Sequence, residues 1–275
     1  MPIATINNHQ MYYEIHGEGP PLLLMGGWGT YCHGAHYHLP RGLTDHYRVV
    51  IFDHRGIGES DDDLTVNPSM RLYADDAAGL LEHLGLTDVH LIGLVGMGAC
   101  ISQELAINRP DLVRSMTNLA AWARPDTFFT DQIEMLRSVH RDMGWEAFQK
   151  LVCVLSLEPE FYLANRDRVL GPQGPWREVN GRFEAHSRLI DACLAHDTLD
   201  RLPGVSAPTL IVHCPLDQVT GPRLTIPIAK AIQGAREVTL EGAAHVIAGR
   251  ELRGRFAKVL LDFLHEVDAA QAQSA

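Results

Sequence analysis

The feature that most constrains this chain is an alternation of short, continuous apolar runs with segments of helical periodicity. Leu22 to Met25, Arg48 to Phe52, Val89 to Val95 and Val113 to Leu119 read as strands buried on both faces. Between them, Ser69 to Leu84 repeats Tyr73, Ala77, Leu80, Leu81 and Leu84 at helical spacing, with Gly85 placed for a left-handed C-cap. Gly98 to Asn108 forms a second helix, stopped by Arg109 and Pro110. Such alternation predicts a mostly parallel sheet with helices on both faces, an α/β class. Ile3 to Ile6 and Met11 to Ile15 flank Asn7 and Asn8, a pair suited to a tight turn, so an antiparallel hairpin opens the chain.

The rhythm stops near Ala121 and resumes at Pro208 to Val212 and Val238 to Leu240. Residues 121–202 show helical segments and no convincing strand, and are expected to form a lid inserted into one domain, whose core is 1–120 with 203–275. A last helix aligns Leu252, Phe256, Val259, Leu260, Phe263 and Leu264, and the tail from Asp268 is expected to fray. A chain of 275 residues, 46% hydrophobic, supplies a core for one such domain, and no linker or repeat divides it.

The formal charge of −11 argues against nucleic acid and anionic membrane as default partners and is read as serving solubility; assembly into a homo-oligomer stays open. Cys32, Cys100, Cys153, Cys193 and Cys214 are odd in number and scattered, which fits free thiols in a reducing compartment. No secretory leader and no apolar stretch of spanning length is present, so a cytoplasmic location is expected.

Several motifs in order resemble the α/β-hydrolase superfamily from Met11 to Leu264. Leu22 to Gly29 is similar to its strand and oxyanion loop, with glycine where that loop usually carries histidine. Asp53-His54-Arg55-Gly56-Ile57-Gly58-Glu59-Ser60 resembles the D-x-R-G-x-G-x-S segment. Pro208 to Val212 leading to Asp217 resembles the acid loop, and Gly242-Ala243-Ala244-His245 the histidine loop. The resemblance is to the branch of enol-lactonases, C–C hydrolases and esterases.

That family's nucleophile elbow is G-x-S-x-G, and this chain reads Gly93-Leu94-Val95-Gly96-Met97-Gly98, without serine. Counting from the strand puts Val95 in the nucleophile position; counting back from Glu104-Leu105-Ala106 and Pro110 puts Gly96 there, the register we adopt. The resemblance implies that His245 is the base, that Asp217 orients it with Asp126 as the alternative acid, and that the amides of Trp28 and Met97 form the oxyanion hole. Cys100 falls a turn into the helix and is a packing residue. His33, His36 and His38 have a spacing that zinc can use, but are read as pocket lining, together with His186; no metal or cofactor is expected. Arg55, Arg71, Arg177 and Arg182 are candidates for a substrate carboxylate that the sequence does not choose between.

Three functions follow. The first is hydrolysis of a small carbonyl compound (ester, lactone, amide or C–C bond) by a triad whose serine has been lost, in which case serine at Gly96 restores a hydroxyl beside His245. The second is a native enzyme without nucleophile, a lyase, decarboxylase or cofactor-free oxygenase with His245 as base. The third is a catalytically inactive small-molecule receptor.

Overall fold

The computed structural model describes residues 2–28 and 38–274. β1 (Ile3–Ile6) and β2 (His9–His16) pair antiparallel around Asn7 and Asn8, both left-handed at φ 44° and 66°. β3 (Pro21–Met25), β4 (Arg48–Phe52), β5 (Val89–Gly93), β6 (Val113–Leu119), β7 (Thr209–His213) and β8 (Arg236–Thr239) follow. All eight strands join one sheet in the order β1-β2-β4-β3-β5-β6-β7-β8, parallel from β4 onward.

Side chains one residue apart on a strand face opposite sides, and each side is covered by helices. Leu23, Met25, Val50 and Phe52 pack with Tyr73, Leu80 and Leu81 of α2 (Met70–His83) and Leu105 of α3 (Met97–Asn108), the helices that follow the short α1 (Leu43–His46). Leu22, Leu24, Val49 and Ile51 pack instead with Phe256, Leu260, Phe263 and Leu264 of the last helix. Burying one such leucine contributes about 1.5–3 kcal/mol, so both stripes are strong determinants of the fold.

Between β6 and β7 the chain builds α4 (Thr127–Met143), α5 (Trp145–Ser156), α6 (Pro159–Val169) and α7 (Phe183–Leu194), and no strand appears there among the described residues. α8 (Gly221–Ala231) follows β7, and α9 (Arg250–Ser274) ends the chain. Two expectations need correcting. β5 stops at Gly93, so Leu94 and Val95 have already left the sheet. The tail does not fray at Asp268, because that carboxylate accepts from Tyr47 Oη at 2.9 Å, His90 Nε2 at 3.0 Å and Arg114 Nη1 at 2.5 Å, which ties α9 to the sheet.

The Asp53 to Ser60 segment is a structural brace beneath the first loop of the sheet. Ser60 Oγ donates to Asp53 O and accepts from the Tyr12 amide, Asp53 accepts from the Glu59 amide, and His54 Nε2 donates to Gly26 O at 3.1 Å. Arg55 forms a buried two-pronged pair with Asp76 of α2. This fixes the backbone at Gly26, just past the end of β3.

Candidate active site

β5 hands over to α3 through a strained turn. Val95 has φ 55°, Gly96 has φ 71° and ψ −82°, and the Met97 amide donates to Val95 O at 2.9 Å. That is a γ-turn with Gly96 at its apex. A β-branched residue in the left-handed region is a real outlier, worth about 1–3 kcal/mol of strain. Gly98 has no alternative to glycine, since a Cβ there would lie 2.0 Å from Met25 O. The turn therefore matches G-x-S-x-G from Gly96 forward and carries one additional residue, Val95, behind it.

The space above Gly96 is taken. A Cβ at that position would lie 2.7 Å from Cζ3 of Trp122, a residue 3% exposed whose ring centroid is 4.5 Å from that of Phe129. A serine placed here would meet indole, which has to shift before a hydroxyl can stand there.

His245 lies in the loop between β8 and α9, and Asp217 in the loop after β7; both are buried. Asp217 Oδ2 accepts from His245 Nδ1 at 3.0 Å and from Thr220 Oγ1 at 2.7 Å, while Oδ1 accepts from the amides of Val219 at 2.7 Å and Thr220 at 2.9 Å. Burial alone raises the Asp217 pKa, but His245 and the Thr220 donors more than reverse this and hold the carboxyl well below the usual carboxylate range. An ionised carboxylate only accepts, so the proton between the two sits on His245 Nδ1, and Nε2 is left as the basic nitrogen.

His245 opens on a chamber of about 40 Å³ lined also by Trp28, Val95, Gly96, Met97, Trp122, Ser156 and apolar side chains from α4 and α5. This is room for roughly two or three water molecules. The expected oxyanion donors thus border the chamber, although the Met97 amide is occupied by Val95 O. Sequence reasoning missed Trp122 and Ser156. Ser156 is fully buried, its Oγ has no hydrogen-bond partner, and its carbonyl accepts from the Val246 amide at 2.9 Å, which holds the end of α5 against the histidine loop. Trp122 Nε1 is likewise buried without a partner.

The remaining predicted residues lie elsewhere. Asp126 is the N-cap of α4, accepting from the Phe129 amide at 2.7 Å, and pairs with Arg223 at 3.0 Å, so it is engaged away from His245. His186 is fully buried and absent from the chamber lining; its Nδ1 lies 2.8 Å from His140 Nδ1, and its ring stands edge-on to Trp28 at 4.8 Å. His33 and His36 lie outside the described residues, and His38 is exposed on a neighbouring groove. Cys100 is buried in α3 against Trp122 O. Arg55, Arg71, Arg177 and Arg182 are all engaged, by Asp76, Asp75, Glu178 and the carbonyls of Gly56 and Gly58 respectively.

Comparison with known proteins agrees with this architecture. A family model described as alpha/beta hydrolase fold matches residues 20–249. A protein of Azorhizobium caulinodans described as "Putative carbamate hydrolase RutD" is 31% identical, over 98% of this chain and 100% of its own length. The crystal structure of the enol-lactonase from Burkholderia xenovorans superposes with a TM-score of 0.81 at 24% identity, covering 96% of this chain and 100% of that one. MGS-M2, an alpha/beta hydrolase enzyme from a Medee basin deep-sea metagenome library, gives 0.85 at 20% identity, with 96% and 97% covered. With the sheet order, the histidine and acid loops and these matches together, the chain belongs to the α/β-hydrolase fold family and is one of its enzymes.

Proposed function

We propose that this enzyme hydrolyses a small carbonyl compound, of the carbamate, ester or amide class, with His245 as general base acting on water and Asp217 holding the imidazole in its working tautomer. The observation that carries this reading is the His245–Asp217 hydrogen bond of 3.0 Å beside a turn apex that bears no side chain. A base without an adjacent hydroxyl or thiol can still deprotonate water, and a chamber of about 40 Å³ admits water next to a small reacting group. Trp28 is placed to support the developing oxyanion, since its amide has no partner among the described residues. The helices of 121–202 act as a lid that keeps this chamber apolar. The relative described as a carbamate hydrolase makes carbamates the first substrates to assay.

The filled space over Gly96 weighs against a triad disabled by a single lost serine. It favours a site that works without a nucleophile at the elbow. One observation supports a second reading: Ser156, with its unpartnered Oγ, lines the same chamber as His245 and makes a lid hydroxyl available as nucleophile.

A panel of carbamates, esters and amides assayed with wild type, His245→Ala and Ser156→Ala separates these. His245→Ala should lower kcat about 10²–10⁴-fold, the usual contribution of a positioned base. Ser156→Ala should keep turnover, and mass spectrometry during turnover should find no acyl-enzyme. An adduct on Ser156 would transfer the mechanism to the second reading, and unchanged turnover in His245→Ala would end the first.

A further inference from the structure

Next to the chamber is a groove of about 1190 Å³, lined by five arginines and two glutamates. Arg177 is taken by Glu178 at 3.0 Å. The side chains of Arg41, Arg168 and Arg250 carry no hydrogen bond or ion pair among the described residues, and elsewhere among those residues only the side chain of Arg48 is in that condition. Three uncompensated guanidinium groups on one groove are notable in a chain of net charge −11, most of whose other described arginines are spent on carboxylates and carbonyls. Like charges brought together repel, and concave walls concentrate their field, so such a groove attracts anions. The guanidinium fork matches a carboxylate in particular, through two parallel N–H···O bonds. α9, which begins at Arg250, turns the positive end of its dipole toward the same place.

The groove and the chamber share two walls, Val95 and Trp176. Val95 is the extra residue of the elbow, in the left-handed region, and Trp176, also left-handed at φ 60°, is held by Trp145 Nε1 donating to its carbonyl at 3.2 Å. A molecule bound by its anionic end in the groove is therefore next to the partition that borders His245.

We propose that this groove binds an organic carboxylate through Arg41, Arg168 and Arg250, so that the carbonyl compound turned over in the chamber is itself an acid. The proposal rests on the chamber being the reaction site, and its test is a binding measurement that needs no turnover. Succinate, its neutral diamide and inorganic phosphate are titrated by ligand-observed NMR against wild type, His245→Ala, the triple variant Arg41→Gln/Arg168→Gln/Arg250→Gln, and Arg48→Gln as the control for net charge. Arg41, Arg168 and Arg250 are exposed and Arg48 half-buried, and none has a side-chain partner, so the Gln variants are expected to fold, and circular dichroism checks that they do.

Succinate should bind wild type, His245→Ala and Arg48→Gln alike, and the triple variant about thirtyfold more weakly, near threefold for each exposed charge. Succinamide should not compete. Equal binding by the triple variant or by succinamide overturns the proposal, and phosphate binding more tightly than succinate overturns its carboxylate assignment. Loss of succinate binding in His245→Ala moves the anion into the chamber and also overturns it. Succinate binding as stated, with no hydrolysis in any substrate panel, leaves this site standing and ends the hydrolytic reading alone.

Discussion

At Gly96, backbone conformation and side-chain packing impose separate demands: the first strains any side chain, and the second leaves it no room. The φ of 71° suits glycine, and the ring of Trp122 fills the volume a side chain needs. Gly96→Ser is therefore expected to lower stability by about 1–3 kcal/mol, from strain and overpacking, and to acquire no esterase activity. Gly96→Ser combined with Trp122→Ala removes the obstruction and should release a nitrophenolate burst from 4-nitrophenyl acetate, because the new hydroxyl then reaches His245. A burst from the single variant, with its melting temperature unchanged, would show that Trp122 does not guard the position. Gly98 had its reason in the sequence, since a small residue two places after the apex is what the approach of Met25 O demands. Trp122 had none, because its place over Gly96 is set by where β6 ends and the inserted helices begin.

Among the elements, α9 shows what periodicity sees and what it does not. Its apolar stripe through Leu264 is a local pattern and was legible, as were β3 to β7, whose runs are buried on both faces. The continuation to Ser274 depends on Asp268 meeting Tyr47, His90 and Arg114, partners that are far away in sequence and invisible to any window. The loops that bear Asp217 and His245 were expected from their resemblance to the family's acid and histidine loops, and the pairing of β7 with β8 brings those two loops side by side, with the side chains 3.0 Å apart. The exact register of the elbow was not, since one additional residue satisfies both ways of counting. Asp268→Ala should cost about 2 kcal/mol, because it strips a shared acceptor from three donors at once. A drop in melting temperature of roughly 4–8 °C would accompany it, at the few degrees per kcal/mol usual for a chain of this size. No shift in melting, or a loss confined to the last turns in hydrogen exchange, would show that α9 is held by its apolar stripe alone.

For the molecule as a whole, burial of imidazoles sets a direction of pH dependence. His9, His54, His90, His140, His186 and His196 are all buried, and burial, the first cause in every case, lowers each pKa from the ordinary 6.5. His186 goes down to about 3, pushed further by His140 and Arg137. Its pair with His140 at 2.8 Å needs one ring to donate and the other to accept, which a doubly protonated pair cannot do. A lowered folded pKa means that the unfolded chain takes up protons first. The stability these groups contribute is complete above about pH 6.5 and is lost as pH falls toward their folded values, by up to about 1.4 kcal/mol per pH unit for each proton. Asp217 and Asp268, whose pKa values are also lowered, add to the loss only below the carboxylate range. Urea unfolding should therefore give a plateau near pH 7–8 and a steep decline from pH 6.5 to 4.5, before the carboxylates titrate. His186→Phe, which keeps a ring between Trp28 and Phe148, should reduce that slope by about one proton while costing stability at pH 8, since His140 loses its partner. The same slope in His186→Phe as in wild type would remove this histidine from the account.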